Sequence, residues 1–426
     1  MKFIKLFFAM LIIVSCTFTA SMAEDSLQSA FKNAKVEGEI RYKYVVKNSN
    51  EEGEDAEGSA IGGSFGLKTA PLYGFSLGAM AYTTNKATGS DEPFSTEPKK
   101  LTNTSLLYGD SSYTILGQAY LEYKNKNSTL KVGRQYLATP FIDGDDGSII
   151  PNLYEAYMFT NSDISDTKIT IGHVSKMSGW DSYGDITTFV SMTQAAGITS
   201  SKNGVEQYNK GVSLASVIYY GITDTVLEAW YYKAHDLVDI YYLEGMYDTK
   251  IGKFGLTLGV QYWQVHSASK YNQWASGIKE EKVDYSVYGF MSAIDIYDTK
   301  LILAYHSTDL KDSLPTIHGK WGGYPEYVFS QEAIVTTYNV SGVQAIKTGL
   351  SHDSSYGKFS VHYVIFNSRN EALENSEDVL YVIYGHDIKY INNLSVSLLY
   401  EAIRANTDKS KNQDYDYYKA SITYTF

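Results

Sequence analysis

Three aspartates fall within four residues of the stretch FIDGDDGSIIP, at Asp143, Asp145 and Asp146. Carboxylates so spaced, with glycines between them, could hold a hard cation as the start of a helix–loop–helix calcium loop does. That pattern needs a bidentate Glu at its twelfth position, which counted from Asp143 is Tyr154. A solvated turn and a loop lining a passage are the other readings, and the second is the one adopted. Gly62-Gly63-Ser64-Phe65-Gly66 matches the G-x-S-x-G string of hydrolases. The string works only as a strained turn between a strand and a helix, and no helical pattern follows it. The eight histidines are scattered (His173, His235, His266, His306, His318, His352, His362 and His386), and none forms a close ligand pair. No catalytic residue, metal ligand or cofactor is expected from these motifs. His362 falls on the polar phase of its segment.

The elements that would position these residues are read from periodicity. In VEGEIRYKY, Val36, Gly38, Ile40, Tyr42 and Tyr44 alternate with Glu37, Glu39, Arg41 and Lys43. Successive side chains of a strand point to opposite faces, so this is a strand with one apolar face. Eighteen such runs occur, from 36–45 to 416–426, most about ten residues long, the length a tilted strand needs to cross a bilayer. Three of them, 129–135, 153–160 and 225–234, do not sort their residues cleanly between faces. Short connections (70–73, 125–128, 161–166, 221–224, 249–252, 294–298, 353–357 and 389–393) alternate with longer ones such as 84–112, 175–209 and 308–342. Among the long set only 235–238 is short. All seven prolines fall between the runs, as they must where each strand N–H is a ladder donor. The fold class read from this is all-β: a transmembrane antiparallel β-barrel, 36–426, of eighteen strands, with short turns on the periplasmic side and longer loops outside. The 39 tyrosines suit its aromatic girdles.

Composition excludes other classes. The net charge of −12 argues against a nucleic-acid partner. No apolar run after residue 25 is long enough for a helical span. Residues 1–23 read as a secretory signal, with Lys2 and Lys5 before the apolar stretch Leu6–Val14 and Ser21-Met22-Ala23 at the cleavage site. Ile13-Val14-Ser15-Cys16 offers lipidation of Cys16 as the alternative. Residues 24–35 make a short periplasmic segment, too short for the plug of an active transporter. The polar phase nominates Glu37, Glu39, Arg41, Lys43, Lys68, Glu122, Lys124, Lys131, Lys347 and Lys419 as pore-lining residues.

The stretch KVGRQYLATPFIDGDDGSIIPNLYEAYMFTN, Lys131 to Asn161, resembles the outer membrane porin D (OprD) family of Gram-negative bacteria. WYYKAHDLVDIYYLEGMYD (230–248) resembles that family's aromatic hairpin, and WGGYPEYVF (321–329) its seventh outside loop. The resemblance implies eighteen strands, an inward third loop at 136–152 that narrows the channel with Asp143, Asp145, Asp146 and Ser148, and the seventh loop as the facing wall. It also implies that the C-terminal Phe426 is read by the barrel-assembly machinery. The expected partners are outer-membrane lipids, small hydrophilic solutes and ions, with the chain a monomer or a homotrimer. Many family members carry an Arg where this chain has Ser148, and only Arg41, Arg134, Arg369 and Arg404 are present. Lys lacks the bidentate fork that grips a carboxylate. The expectation is therefore a passive channel for small polar solutes with weak cation preference. A substrate-specific channel for amino acids or carboxylates, a barrel enzyme and a secreted binding sandwich are the alternatives.

Overall fold

A computed structural model describes residues 26–50, 55–89, 101–102, 106, 111–144, 147–182, 185–197, 210–269, 284–309, 321–322, 329–330, 342–369, 376–405 and 414–426. The signal segment and Cys16 lie outside them. Eighteen long strands follow in chain order: β1 Lys35–Ser49, β2 Ala56–Lys68, β3 Phe75–Gly89, β4 Tyr113–Asn125, β5 Ser128–Gln135, β6 Leu153–Asn161, β7 Thr167–Ser178, β8 Val212–Ile222 and β9 Thr225–Ala234. The second half is β10 Val238–Ile251, β11 Phe254–Ser267, β12 Asp284–Ile296, β13 Thr299–Thr308, β14 Val343–Ser354, β15 Gly357–Ser368, β16 Ser376–Asp387, β17 Leu394–Ala405 and β18 Tyr415–Thr425. Each pairs antiparallel with its sequence neighbours, and β1 pairs with β18 through Tyr42↔Ile422 and Tyr44↔Ala420, so the sheet closes. Closure leaves no edge, which a sheet in lipid requires because nothing there can hydrogen-bond a free N–H.

Each of the eighteen runs read from the sequence lies on one of these strands, displaced by a few residues at its ends. Several extend further towards the long loops than alternation suggested, β1 to Ser49 and β3 to Gly89. Beyond the lipid both faces meet water, so the ladder continues where the apolar phase has stopped. Gly62 to Gly66 lie inside β2, and the hydrolase reading is excluded because no elbow forms there. Most short turns hold a residue at positive φ, among them Tyr73, Lys126, Asp166, Asp224, Tyr297 and Asn393. That conformation matches the twist of the strands it joins. The expected periplasmic segment contains a helix, α1 (Leu27–Lys32), capped by the Ser26 hydroxyl.

The faces separate as alternation requires. Val36, Ile40, Phe65, Leu121, Val260, Phe290 and Ile422 are exposed on the outside. Inside, buried apolar clusters pack the segment that follows β5 against the walls. Leu137, Phe141 and Ile142 pack with Trp230, Tyr232, Tyr242 and Trp263. Ile149 and Ile150 pack with Val45, Ala60, Tyr82, Ile115 and Tyr417.

Candidate functional site

The segment 136–152 runs inward from β5 and returns to β6. A small ladder between Ala138–Thr139 and Ile142–Asp143 folds it on itself. The Gly144 N–H donates to the Leu137 carbonyl at 2.8 Å. On one side Phe141 meets Tyr232, Tyr242 and Trp263 edge-on, with ring centres 5.5, 6.0 and 6.4 Å away. Such contacts add about 0.5–1.5 kcal/mol each beyond burial. On the other side Lys43 donates to the Ser148 carbonyl at 2.6 Å and to the Gly147 carbonyl at 3.2 Å. The segment therefore touches the β9–β11 wall and the β1–β2 wall across the barrel from it.

Asp143 is 3% exposed and Ser148 4%, so both are buried. Asp145 and Asp146 lie outside the described residues. The Asp143 N–H donates to the Trp321 carbonyl at 3.3 Å, and its own carbonyl faces the Tyr154 hydroxyl. The residue that broke the calcium pattern thus belongs to the fold of the same segment. Trp321 is fully buried and donates its indole N–H to the Met192 carbonyl at 2.8 Å, in the short helix α2 (Met192–Ala195). Three outside connections meet there. Of the 321–329 stretch only Trp321, Gly322 and Phe329 are described. The Phe329 N–H donates to Gln261 at 3.3 Å.

The ten nominated wall residues share the inward phase of their strands. Arg41 pairs with Glu39 at 2.8 Å. Lys68 reaches Glu122 at 2.6 Å across β3, passing over Gly78, where a Cβ would strike the Tyr120 ring. Lys131 is the cross-strand partner of Glu122, and its ammonium sits 3.8 Å above the Tyr120 ring. Lys347 lies 5.4 Å over the Tyr381 ring, and Lys419 stands opposite Val45. Glu37 and Lys124 are exposed near the short-turn mouth. Arg41, Lys43, Lys68 and Lys131 are therefore engaged by acids, carbonyls or a ring.

Sequence reasoning missed the acids on the far wall. Glu228 on β9 and Glu244 on β10 are direct cross-strand partners, both inward. The consecutive aromatics Trp230, Tyr231 and Tyr232 hid the phase of β9. A usable signal was present: the three-residue connection sets Ala234 opposite Val238, and counting back sets Glu228 opposite Glu244. His173 and His235, far apart in sequence, both hydrogen-bond the Ser213 hydroxyl, at 3.1 and 2.9 Å. His362 is inward, stacked on Tyr381 at 4.6 Å.

A family model described as outer membrane porin, OprD family, matches residues 26–426. No curated protein matches the chain. Among solved structures, OccK9 (OpdG) of Pseudomonas aeruginosa superposes with a TM-score of 0.76 at 14% identity, covering 93% of this chain and 99% of that one. OccAB4 of Acinetobacter baumannii gives 0.75 at 15% identity, covering 92% and 98%. OccK2 (OpdF) of P. aeruginosa, solved in complex with glucuronate, gives 0.72 at 14%, covering 93% and 98%.

Proposed function

The chain belongs to the OprD family of outer membrane porins, and from that premise we propose a narrow passive channel with weak cation preference, constricted by segment 136–152. It is a channel of the Gram-negative outer membrane and not an enzyme; small polar solutes cross it down their gradients. The observation that carries the constriction is the anchoring of one segment to facing walls, by Phe141 on one and Lys43 on the other. A strap fixed at both sides leaves solutes only the space around it.

The charge pattern supports the selectivity. Within the basic row Arg41 and Lys68 are paired with Glu39 and Glu122, which cancels part of its field within the wall. Glu228 and Glu244 accept only from neutral donors among the described residues. Charges in a narrow, partly dehydrated passage act more strongly than in bulk water. At Arg41 and Lys68 a carboxylate would have to displace Glu39 or Glu122, so those two bases do not favour a carboxylate-specific channel. Replacing Asp143, Asp145 and Asp146 together by Asn should move the reversal potential in a salt gradient towards anions, most at low salt, where screening is least. An unchanged potential would remove these aspartates from the constriction. Assembly of the barrel through Phe426, and a monomeric or homotrimeric state, belong to the same reading; chemical crosslinking in membranes tests the latter.

A further inference from the structure

Asn152, the last residue of the inward segment, is fully buried, and both ends of its side-chain amide are engaged. Its Nδ2 donates to Asp181 Oδ2 at 2.7 Å, and its Oδ1 accepts from the Asp181 N–H at 3.3 Å. The two ends are not interchangeable: the carboxylate takes the NH2 group and the peptide N–H takes the oxygen. The Asn152 N–H donates to the Gly144 carbonyl at 2.6 Å, closing the segment at its base. Residues 179–182 form a turn around this amide, with the Ser182 N–H and hydroxyl both donating to the Gly179 carbonyl, at 3.0 and 2.7 Å. Two glycines at positive φ, from different outside connections, close on the same side chain. Gly179 (φ 139°) follows β7, and a Cβ there would strike Asn152 Oδ1; Gly322 (φ 82°) lies between β13 and β14, and a Cβ there would strike Nδ2. Such an approach requires a residue without a Cβ. Gly322 also lies against the Asp143 carbonyl and the Tyr154 hydroxyl.

We propose that Asn152 is a positioning residue, the latch that fixes the inward segment to the connections after β7 and β13. The aperture is then set from the long-loop end as well as by the groups that line it. Lys43 holds the segment at Gly147 and Ser148, whereas Asn152 holds its root, where it enters β6. Displacing 179–182 would withdraw the Asp181 carboxylate and N–H together, so movement of that outside connection reaches the segment directly. The ionisable side chains brought to this junction are Asp181, Asp143 and Tyr154. The inference rests on the reading of 136–152 as the constriction.

The test exchanges the two side chains. Asn152→Asp sets two carboxylates face to face, and like charges so close disfavour joint ionisation. Adding Asp181→Asn restores one amide and one carboxylate in reversed order. Release of the segment is read independently of the pore, from the rate at which a charged thiol reagent labels Ser148→Cys; the one native cysteine, Cys16, precedes the barrel. At neutral pH Asn152→Asp should raise that rate about tenfold, the shift expected for losing a hydrogen bond to a charged group, and should raise single-channel conductance. Lowering the pH should return both to wild-type values, with a midpoint above the ordinary carboxylate value of about 4, because a proton shared by the pair remakes the bond. The double exchange should match the wild type at every pH. Heat-modifiable migration verifies that each variant is folded. Should Asn152→Asp fail to assemble, Asp181→Ala removes the same side-chain bond from a half-buried position without adding charge, and should raise labelling alike. Unchanged labelling in the variant that folds, or a double exchange that labels as fast as Asn152→Asp, overturns the latch. Faster labelling at unchanged conductance keeps the attachment and overturns the constriction, so the two readings fail separately.

Discussion

Lys43 connects a strand to a strap. It is 5% exposed, and the two carbonyls it holds belong to a segment more than a hundred residues away. Hydrogen bonds to a charged group contribute about 1.5–3 kcal/mol. Lys43→Met keeps the apolar stem and removes the charge, so the barrel should still fold while Gly147 and Ser148 lose their tether. The expected outcome is a noisier channel of higher conductance that admits larger neutral solutes, measured by single-channel recording and liposome swelling. A conductance equal to wild type would mean that Phe141 and Ile149 hold the strap alone.

At the scale of the strand, phase decides tolerance. Ile40 is 52% exposed on the outside of β1, whereas its neighbour Glu39 is inside and paired with Arg41. Ile40→Arg puts a charge into lipid and should cost up to about 2–4 kcal/mol, less if the residue sits nearer the interface. Glu39→Gln should leave stability nearly unchanged and alter only conductance. Denaturant unfolding from vesicles separates them, and equal costs would reverse the assigned phase. The strands were legible because period-two alternation between lipid and lumen is written locally. Facing in β9 was not, since Tyr231 outside and Trp230 and Tyr232 inside are all aromatic. The segment's packing was not legible either: Ile149 and Ile150 look like ordinary loop residues until Val45 and Ile115 are brought beside them. The charged wall was half read. Arg41 and Glu39 stand two apart on one face of β1, so their pairing was legible, whereas that of Lys68 with Glu122 depends on register across β3 and on the gap at Gly78.

At the scale of the whole barrel the seam is where the start of the chain meets its end. Phe426 exchanges two backbone hydrogen bonds with Gly38, at 2.9 and 3.0 Å, and its ring lies where a Gly38 Cβ would stand. Deleting Phe426 removes that pair as well as the terminal aromatic, so protease-sensitive, unassembled chain should accumulate in the periplasm. Normal surface levels, read by heat-modifiable migration of membrane fractions, would count against this. The seam also has an inner fastening. Ile149 and Ile150 pack in one cluster with Val45 from the first strand and Tyr417 from the last. These residues lie on opposite sides of the junction where chain start meets chain end. Before closure the strap has half a seat, and after closure it has a whole one. Threading and hooping are therefore a single cooperative act: a barrel that closes empty forfeits apolar burial on both sides of its joint, and a strap that enters early acts as a template bringing the first and last staves into register.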